Sequence, residues 1–323
     1  MSTGPAFSFT TTADQVATAF VNEIKGKNVL VTGTSLKSLG FETARVIAKH
    51  ANLVIITGYN AERLKLSEEA IKEEIPQANI YPLVLDLSSF AGVRKAAAEI
   101  NAQAEPLHVL INNAAASFVD FKLTADGLET QLATDHVGPF LFTKLLTPKL
   151  LASATPTYTP RVVFVSSAAQ ALGTGVDFDA LEHPDPAKYS KQVAYAQAKS
   201  ANCLTAIELS KRSEGKINAY SLAPGMIFTN VHEKEDSIPV LQSIGHVGED
   251  GKAVDGLPWK TLSQGAATTV AAAFDPRLND KPGAFLEDST VADHLLAPHS
   301  SDPVTAEKLW SVTEKIIGEA FVF

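Results

Sequence analysis

The chain has 323 residues, enough for one large domain or two modest ones. Hydrophobic residues make up 45% and charged residues 20%, which excludes a disordered or collagen-like polypeptide. A formal net charge of -9 leaves no basic footprint for nucleic acid or an anionic membrane surface. The single cysteine, Cys203, cannot form an internal disulfide, which points to a reducing compartment and argues against a cysteine-rich metal site.

The first residues are rich in Ser and Thr and carry neither a basic region nor a long apolar core. No secretory signal is read there, and the cytoplasm is the expected location. No apolar run is long enough to span a bilayer. The spacing of Val16, Ala17, Phe20, Val21 and Ile24 predicts a helix over 13–25. Short apolar runs predict strands at 28–33, 53–57, 80–85, 107–111, 161–165, 217–221 and, last and shortest, 284–286. Between them, helices are expected at 41–50, 62–74, 90–100, 128–150, 192–212 and 261–273. Strands alternating with helices give an α/β class: a single doubly wound Rossmann fold with a seven-stranded, mostly parallel sheet and helices on both faces. Residues 26–323 are expected to form that one domain, with 1–25 as an N-terminal extension.

Ligands of such folds sit beyond the carboxyl ends of the strands. After the first strand comes Thr-Gly-Thr-Ser-Leu-Lys-Ser-Leu-Gly over residues 32–40, opening a helix. Gly33 allows a tight turn and close approach to a pyrophosphate, with the helix N-terminus behind it; Ser35, Lys37, Ser38 and Leu39 complete the loop. An acid at the end of the second strand would accept the ribose hydroxyls of NAD, and none stands at Thr57-Gly58-Tyr59-Asn60. NADP is therefore the expected cofactor. Lys37 is the candidate cation for its phosphate, Tyr59 the candidate stacking ring and Asn60 a candidate donor.

Ser166 and Ser167 follow the fifth strand, and Tyr195 and Lys199 lie on one face of the next long helix. An ammonium beside a phenol lowers its pKa, so the tyrosine can exchange a proton with a carbonyl or alcohol oxygen that the serine holds. Next to a nicotinamide, that proton transfer couples to hydride transfer. The eight histidines show no metal-ligand spacing, so no metal is expected. Cys203 reads as a packing residue.

These motifs together resemble the short-chain dehydrogenase/reductase superfamily. Within it, the chain looks most similar to the branch of retinol dehydrogenases, WW-domain oxidoreductases and light-dependent protochlorophyllide reductase. The matching stretches include 31–33 with 40–45, 85–87, 110–114, 126–129, 136–138, 161–167, 194–199, 222–225 with 229–230, 264–269 and 308–310. The resemblance implies Tyr195 as general acid/base, Lys199 as its tuning and ribose-holding partner, and Ser167 as the substrate-oxygen ligand. It places Asp86 and Leu87 at the adenine and Asn113, Ala114 and Ala115 along the cofactor. Pro224, Gly225, Ile227 and Thr229 would line the nicotinamide amide. It also leaves a homodimer through the helices near 128–150 and 192–212, or a monomer, open.

The chain departs from that family in three places. Lys37 and Ser38 replace the middle glycine of a loop one residue longer than usual. Ala115 replaces a glycine. Asp135 stands where the family has an asparagine that holds a relay water for the lysine; it is counted with the catalytic group and expected to stabilise the ammonium. The stretch 228–259, with Ile238, Val240, Leu241, Ile244, Leu257 and Trp259, reads as an apolar substrate lid. The expected reaction is NADP(H)-dependent interconversion of a hydrophobic ketone or aldehyde and its alcohol. The competing reading is a cofactor-binding regulator or scaffold with a drifted site.

Overall fold

A computed structural model describes residues 4–323; residues 1–3 of the expected N-terminal extension lie outside the described residues. The main sheet is built from β1 (Asn28–Val31), β2 (Leu53–Gly58), β3 (Ile80–Val84), β4 (Val109–Asn112), β5 (Arg161–Val165) and β6 (Asn218–Leu222). A small pair, β7 (Met226–Ile227) and β8 (Trp259–Lys260), lies apart, and β9 (Phe285–Glu287) and β10 (Thr290–Val291) finish the main sheet. Strand order is β3-β2-β1-β4-β5-β6-β9-β10. All neighbours run parallel except β9 and β10. The sheet thus has eight strands rather than the expected seven. The extra strand is the two-residue β10, which doubles back on β9 through a tight turn at Asp288 and Ser289, both with positive φ.

The central strands are apolar on both faces because helices cover both sides: every residue of β1, β4, β5 and β6 is buried. One apolar cluster lies under helices Phe90–Asn101, Gly138–Leu151, Lys191–Arg212 and Pro303–Ile317. The other lies under Leu39–Ala48, Ala61–Glu74, Leu262–Phe274 and the N-terminal helix Ala13–Ala19. The order of strands reverses between β1 and β4, so the segments after these two strands meet at one crevice.

Besides short helices at Phe178–Glu182, Ile238–Ser243 and Pro298–Ser301, three helical stretches differ from expectation. The N-terminal helix stops at Ala19 and resumes as Val21–Ile24, because Phe20 leaves helical geometry (φ -113°, ψ 27°) and packs edge-on to Phe7. The helix expected over 128–150 begins as Thr130–Leu132, widens into a π turn at Ala133–Val137 and continues as Gly138–Leu151. The helix Pro303–Ile317 was not anticipated, although its signals stand in the sequence. Asp302 caps it, Pro303 opens it, Ala306, Leu309, Trp310, Thr313 and Ile317 form its buried face, and Gly318 (φ 74°) closes it. Trp310 meets Phe140 edge-on at 4.7 Å and stacks on Phe321. A fully buried Trp of this kind contributes about 3–5 kcal/mol by truncation.

His136 of the π turn ties that C-terminal helix down. Its Nε2 lies 2.9 Å from Thr313 Oγ1, and that hydroxyl in turn donates to Leu309 O. Thr313 must therefore accept, so Nε2 carries the proton of a neutral ring. Burial pushes His136 down to about 4. A folded value below the ordinary one means that this group's contribution is complete above about pH 6.5 and is lost as pH falls through about 4. His136→Gln is therefore expected to reduce the steepness of acid destabilisation by about one proton. Denaturant titrations at stepped pH values measure this, and an unchanged slope contradicts it.

Candidate functional site

The loop after β1 turns at Gly33 (φ 72°), where a side chain would run into Ala114 at 2.7 Å. A side chain at Gly40 would collide with Asn113 Nδ2 and Gly33 O. The loops after β1 and β4 can therefore pack this closely only because both positions are glycine. Thr32 Oγ1 accepts from Asn113 N (2.9 Å) and Ala114 N (3.0 Å), and Asn113 Nδ2 returns a bond to Thr32 O (2.8 Å). Asn113 thus clamps the two loops to each other, and its side-chain donor is already used within the protein. Ser38 caps the helix Leu39–Ala48 and donates to Gly33 O at 3.2 Å. Lys37 is exposed and left-handed (φ 61°), a conformation that costs a non-glycine residue about 1–2 kcal/mol. Leu39, inside the loop's helix, packs where a side chain on Gly265 would otherwise sit. The glycine cradle and the capped helix N-terminus fit the pyrophosphate of a dinucleotide.

The other expected cofactor positions surround this crevice. Tyr59 is 70% exposed, leaving its ring free for stacking. Asn60 caps the helix Ala61–Glu74 through Oδ1, so only its amide nitrogen remains as a donor. Asp86 is exposed with Oδ1 bound to Ser88 N (2.9 Å), and Leu87 is buried. Ala115 is exposed at the rim. Beyond β6, Pro224 and Gly225 lead into β7, where Ile227 packs against helix Leu262–Phe274. Thr229 caps the short turn Asn230–Glu233 and donates its backbone N–H to His232 Nδ1 at 3.2 Å.

Lys199 is 2% exposed. Its Nζ donates to Val165 O at the end of β5 (3.2 Å) and faces Asp135 Oδ2 at 3.5 Å. Asp135 is equally buried and accepts from Ala116 N through Oδ1 at 2.6 Å, while Oδ2 has no hydrogen-bond donor of its own. Burial outweighs the Lys199 charge and the Ala116 amide, which act downward, and leaves the Asp135 carboxyl raised to about 6. Nearby Glu129 adds a smaller upward push. The Lys199 ammonium lies 5.3 Å from the Tyr195 ring centre, so phenol, ammonium and carboxylate are brought together as expected. Ser166 donates to Lys199 O at 2.7 Å, fixing the helix to the end of β5. Ser167 caps the turn Ala168–Ala171 and is partly exposed. Cys203 is buried and donates to Ser166, and burial pushes its thiol up to about 11, so it stays a protonated packing residue.

Two residues of this neighbourhood escaped the sequence reading. Gln131 is fully buried; it accepts from Phe118 N at 2.7 Å and donates to Tyr189 Oη at 2.7 Å. Phe118 packs its ring 4.7 Å from that of Tyr195. No local signal marks either, because both roles arise from contacts between distant segments.

Residues 27–176 match the family described as short chain dehydrogenase. The short-chain dehydrogenase TIC 32 A, chloroplastic, of Brassica napus is 36% identical over 296 residues, covering 90% of this chain and 88% of that protein. The WW domain-containing oxidoreductase of Danio rerio is 34% identical over 306 residues, covering 92% of this chain and 70% of its own length. An uncharacterized protein from Mycobacterium Paratuberculosis superposes with a TM-score of 0.69 at 26% identity, over 93% of this chain and 96% of that one. A 3-oxoacyl (acyl-carrier-protein) reductase from Agrobacterium tumefaciens C58, solved with NADP bound, shares the fold at a TM-score of 0.59 and 21% identity, over 81% and 93% of the two chains. With a relative this similar over nearly its whole length, the chain belongs to the short-chain dehydrogenase/reductase family of oxidoreductases.

Proposed function

We propose that this chain interconverts a hydrophobic ketone or aldehyde and its alcohol with NADP(H), using Tyr195 as acid/base. The observation that carries the reading is the buried Asp135–Lys199 pair set against the Tyr195 ring. The nicotinamide, when bound, supplies or accepts the hydride. In this reading Ser167 holds the substrate oxygen, Tyr195 gives or takes its proton, and Lys199 sets its charge beside the phenol. The loop at 32–40 holds the pyrophosphate, and Lys37 and Asn60 face the phosphate that distinguishes NADP. The NADP-bound neighbour supports a nicotinamide cofactor, and the missing acid after β2 supports the phosphorylated form.

The stretch 228–259 serves as the lid. Its two ends are stitched together by the pairing of β7 with β8, and its apolar residues suit a hydrophobic substrate. Residues 26–323 then form one domain with 1–25 as its extension, working in the cytoplasm; the Brassica napus relative is itself described as chloroplastic. A homodimer remains part of it, through surfaces other than the face of Gly138–Leu151 that Trp310 and Phe321 cover. Among the described residues, no helix is long and apolar enough to cross a membrane.

The reading is tested by NADPH consumption with a panel of hydrophobic ketones and aldehydes. Tyr195→Phe is expected to lower kcat/KM by about 10²–10⁴-fold. Cofactor binding without turnover, indifferent to Tyr195→Phe, contradicts the enzyme and favours the regulator.

Above about pH 6 Asp135 is a carboxylate that stabilises the Lys199 ammonium and offsets its pull on the phenol. Alcohol oxidation then needs a more alkaline medium. Asp135→Asn is expected to move the ascending limb of the pH–rate profile for alcohol oxidation to lower pH, and an unmoved profile refutes the coupling.

Lys37→Gly relieves a left-handed residue, so stability is expected to hold or rise by up to about 1 kcal/mol. The preference for NADPH over NADH is expected to fall at the same time. A preference that survives the substitution contradicts the role given to Lys37.

A further inference from the structure

After β4 the chain runs past Tyr195 through residues 116–119, and four successive residues are each held by a side chain from elsewhere. Ala116 N donates to Asp135 Oδ1 (2.6 Å), and Ser117 O accepts from Ser237 Oγ (3.1 Å). Phe118 N donates to Gln131 Oε1 (2.7 Å), and Val119 O accepts from Tyr189 Oη (2.9 Å). Asp135 and Gln131 come from the helical stretch containing the π turn, Tyr189 from the segment before the Tyr195 helix, and Ser237 from the stretch 228–259. This clamp holds Phe118 in a left-handed conformation, φ 58°, which a bulky aromatic residue adopts only when its surroundings impose it.

Core packing does not account for that conformation. Among the described residues, Phe118 belongs to none of the three apolar clusters. Its ring instead lies 4.7 Å from the Tyr195 ring, tilted by 45°, and it remains partly exposed. Backbone strain of this sort collects at functional sites, where it aims a side chain that an unstrained backbone would direct elsewhere.

We propose that Phe118 is a specificity-determining residue: its ring walls the Tyr195 phenol on one side and limits the width of the group attached to the reacting carbonyl. The inference rests on Tyr195 being the acid/base of the proposed reaction. The substrate class is narrowed to carbonyl compounds and alcohols that are slim at the reacting carbon. Ser237 ties the stretch 228–259 to the same clamp, so this wall is fixed relative to the proposed lid.

The test uses the full chain with NADPH and three carbonyl probes of increasing width: acetone, acetophenone and acetonaphthone. Phe118→Ala and Phe118→Gly are expected to raise the wide-to-narrow ratio of kcat/KM at least about tenfold, the change that opening one pocket wall produces. Phe118→Gly is also expected to melt about 1–3 °C above Phe118→Ala, because both lose the ring and only glycine relieves the backbone. A ratio unchanged in both variants, while Tyr195→Phe abolishes turnover, overturns the inference and leaves the reaction standing. Phe118→Gly melting below Phe118→Ala overturns the clamped, strained geometry on which it depends. Turnover retained in Tyr195→Phe, or no turnover of any probe by the unaltered protein, sinks the proposed reaction, and the inference falls with it.

Discussion

A carboxylate and an ammonium buried together lose several kcal/mol of hydration each, and only close pairing and further hydrogen bonds offset the loss. Asp135 and Lys199 meet that condition in part. Lys199 reaches Val165 O as well as the carboxylate, and Asp135 takes the Ala116 amide, yet its second oxygen has only the ammonium at 3.5 Å. The pair therefore tolerates little displacement. If either partner moved out of the crevice, the other would stay behind as an uncompensated buried charge. That constraint fixes four segments to one another: the π turn, the helix Lys191–Arg212, the end of β5 and the loop after β4.

The rest of the site follows from this junction. The π turn carries Asp135 and His136, and Gln131 lies in the helical turn just before it. Asp135 pairs with Lys199, Gln131 holds the loop carrying Phe118, and His136 reaches Thr313 of the C-terminal helix. The same helical stretch thus locks the Tyr195 side and the core side of the molecule. On the opposite flank, Thr32 and Asn113 join the loops after β1 and β4, so the β1–β4 crevice and the Tyr195–Lys199–Asp135 group share the β4 loop as a common wall. The arrangement explains why an aspartate can occupy a position where the wider family has asparagine: its charge is matched locally by Lys199, and its extra acceptor is turned toward that cation.

Much of this was legible from the sequence because its causes are local. Buried parallel strands read as apolar runs, and Gly33, Ser167, Tyr195 and Lys199 each follow a strand or lie on the helix after it, so their positions along the chain were legible. The one-strand shortfall came from β10, a two-residue strand too short to leave a periodic pattern. The helix Pro303–Ile317 carries a cap, an apolar face and a closing glycine, all visible in the sequence. The π turn had no such signal. It depends on where Asp135 must sit to meet Lys199 and Ala116, which come from distant parts of the chain. Phe118 was invisible for the same reason: its backbone conformation is imposed by side chains remote in sequence. Lys37 shows the intermediate case, since the replaced glycine was evident but the left-handed backbone that the lysine keeps was not.

Asp135 is a buried acid whose carboxyl burial raises and the Lys199 ammonium pulls part of the way back. Carbon-detected NMR of the labelled Asp135 carboxyl across pH 4 to 8 measures this directly. The account predicts an apparent pKa raised to about 6, rising further in Lys199→Met, because burial then acts without the neighbouring cation. An ordinary aspartate value near 4, unmoved by Lys199→Met, would contradict it.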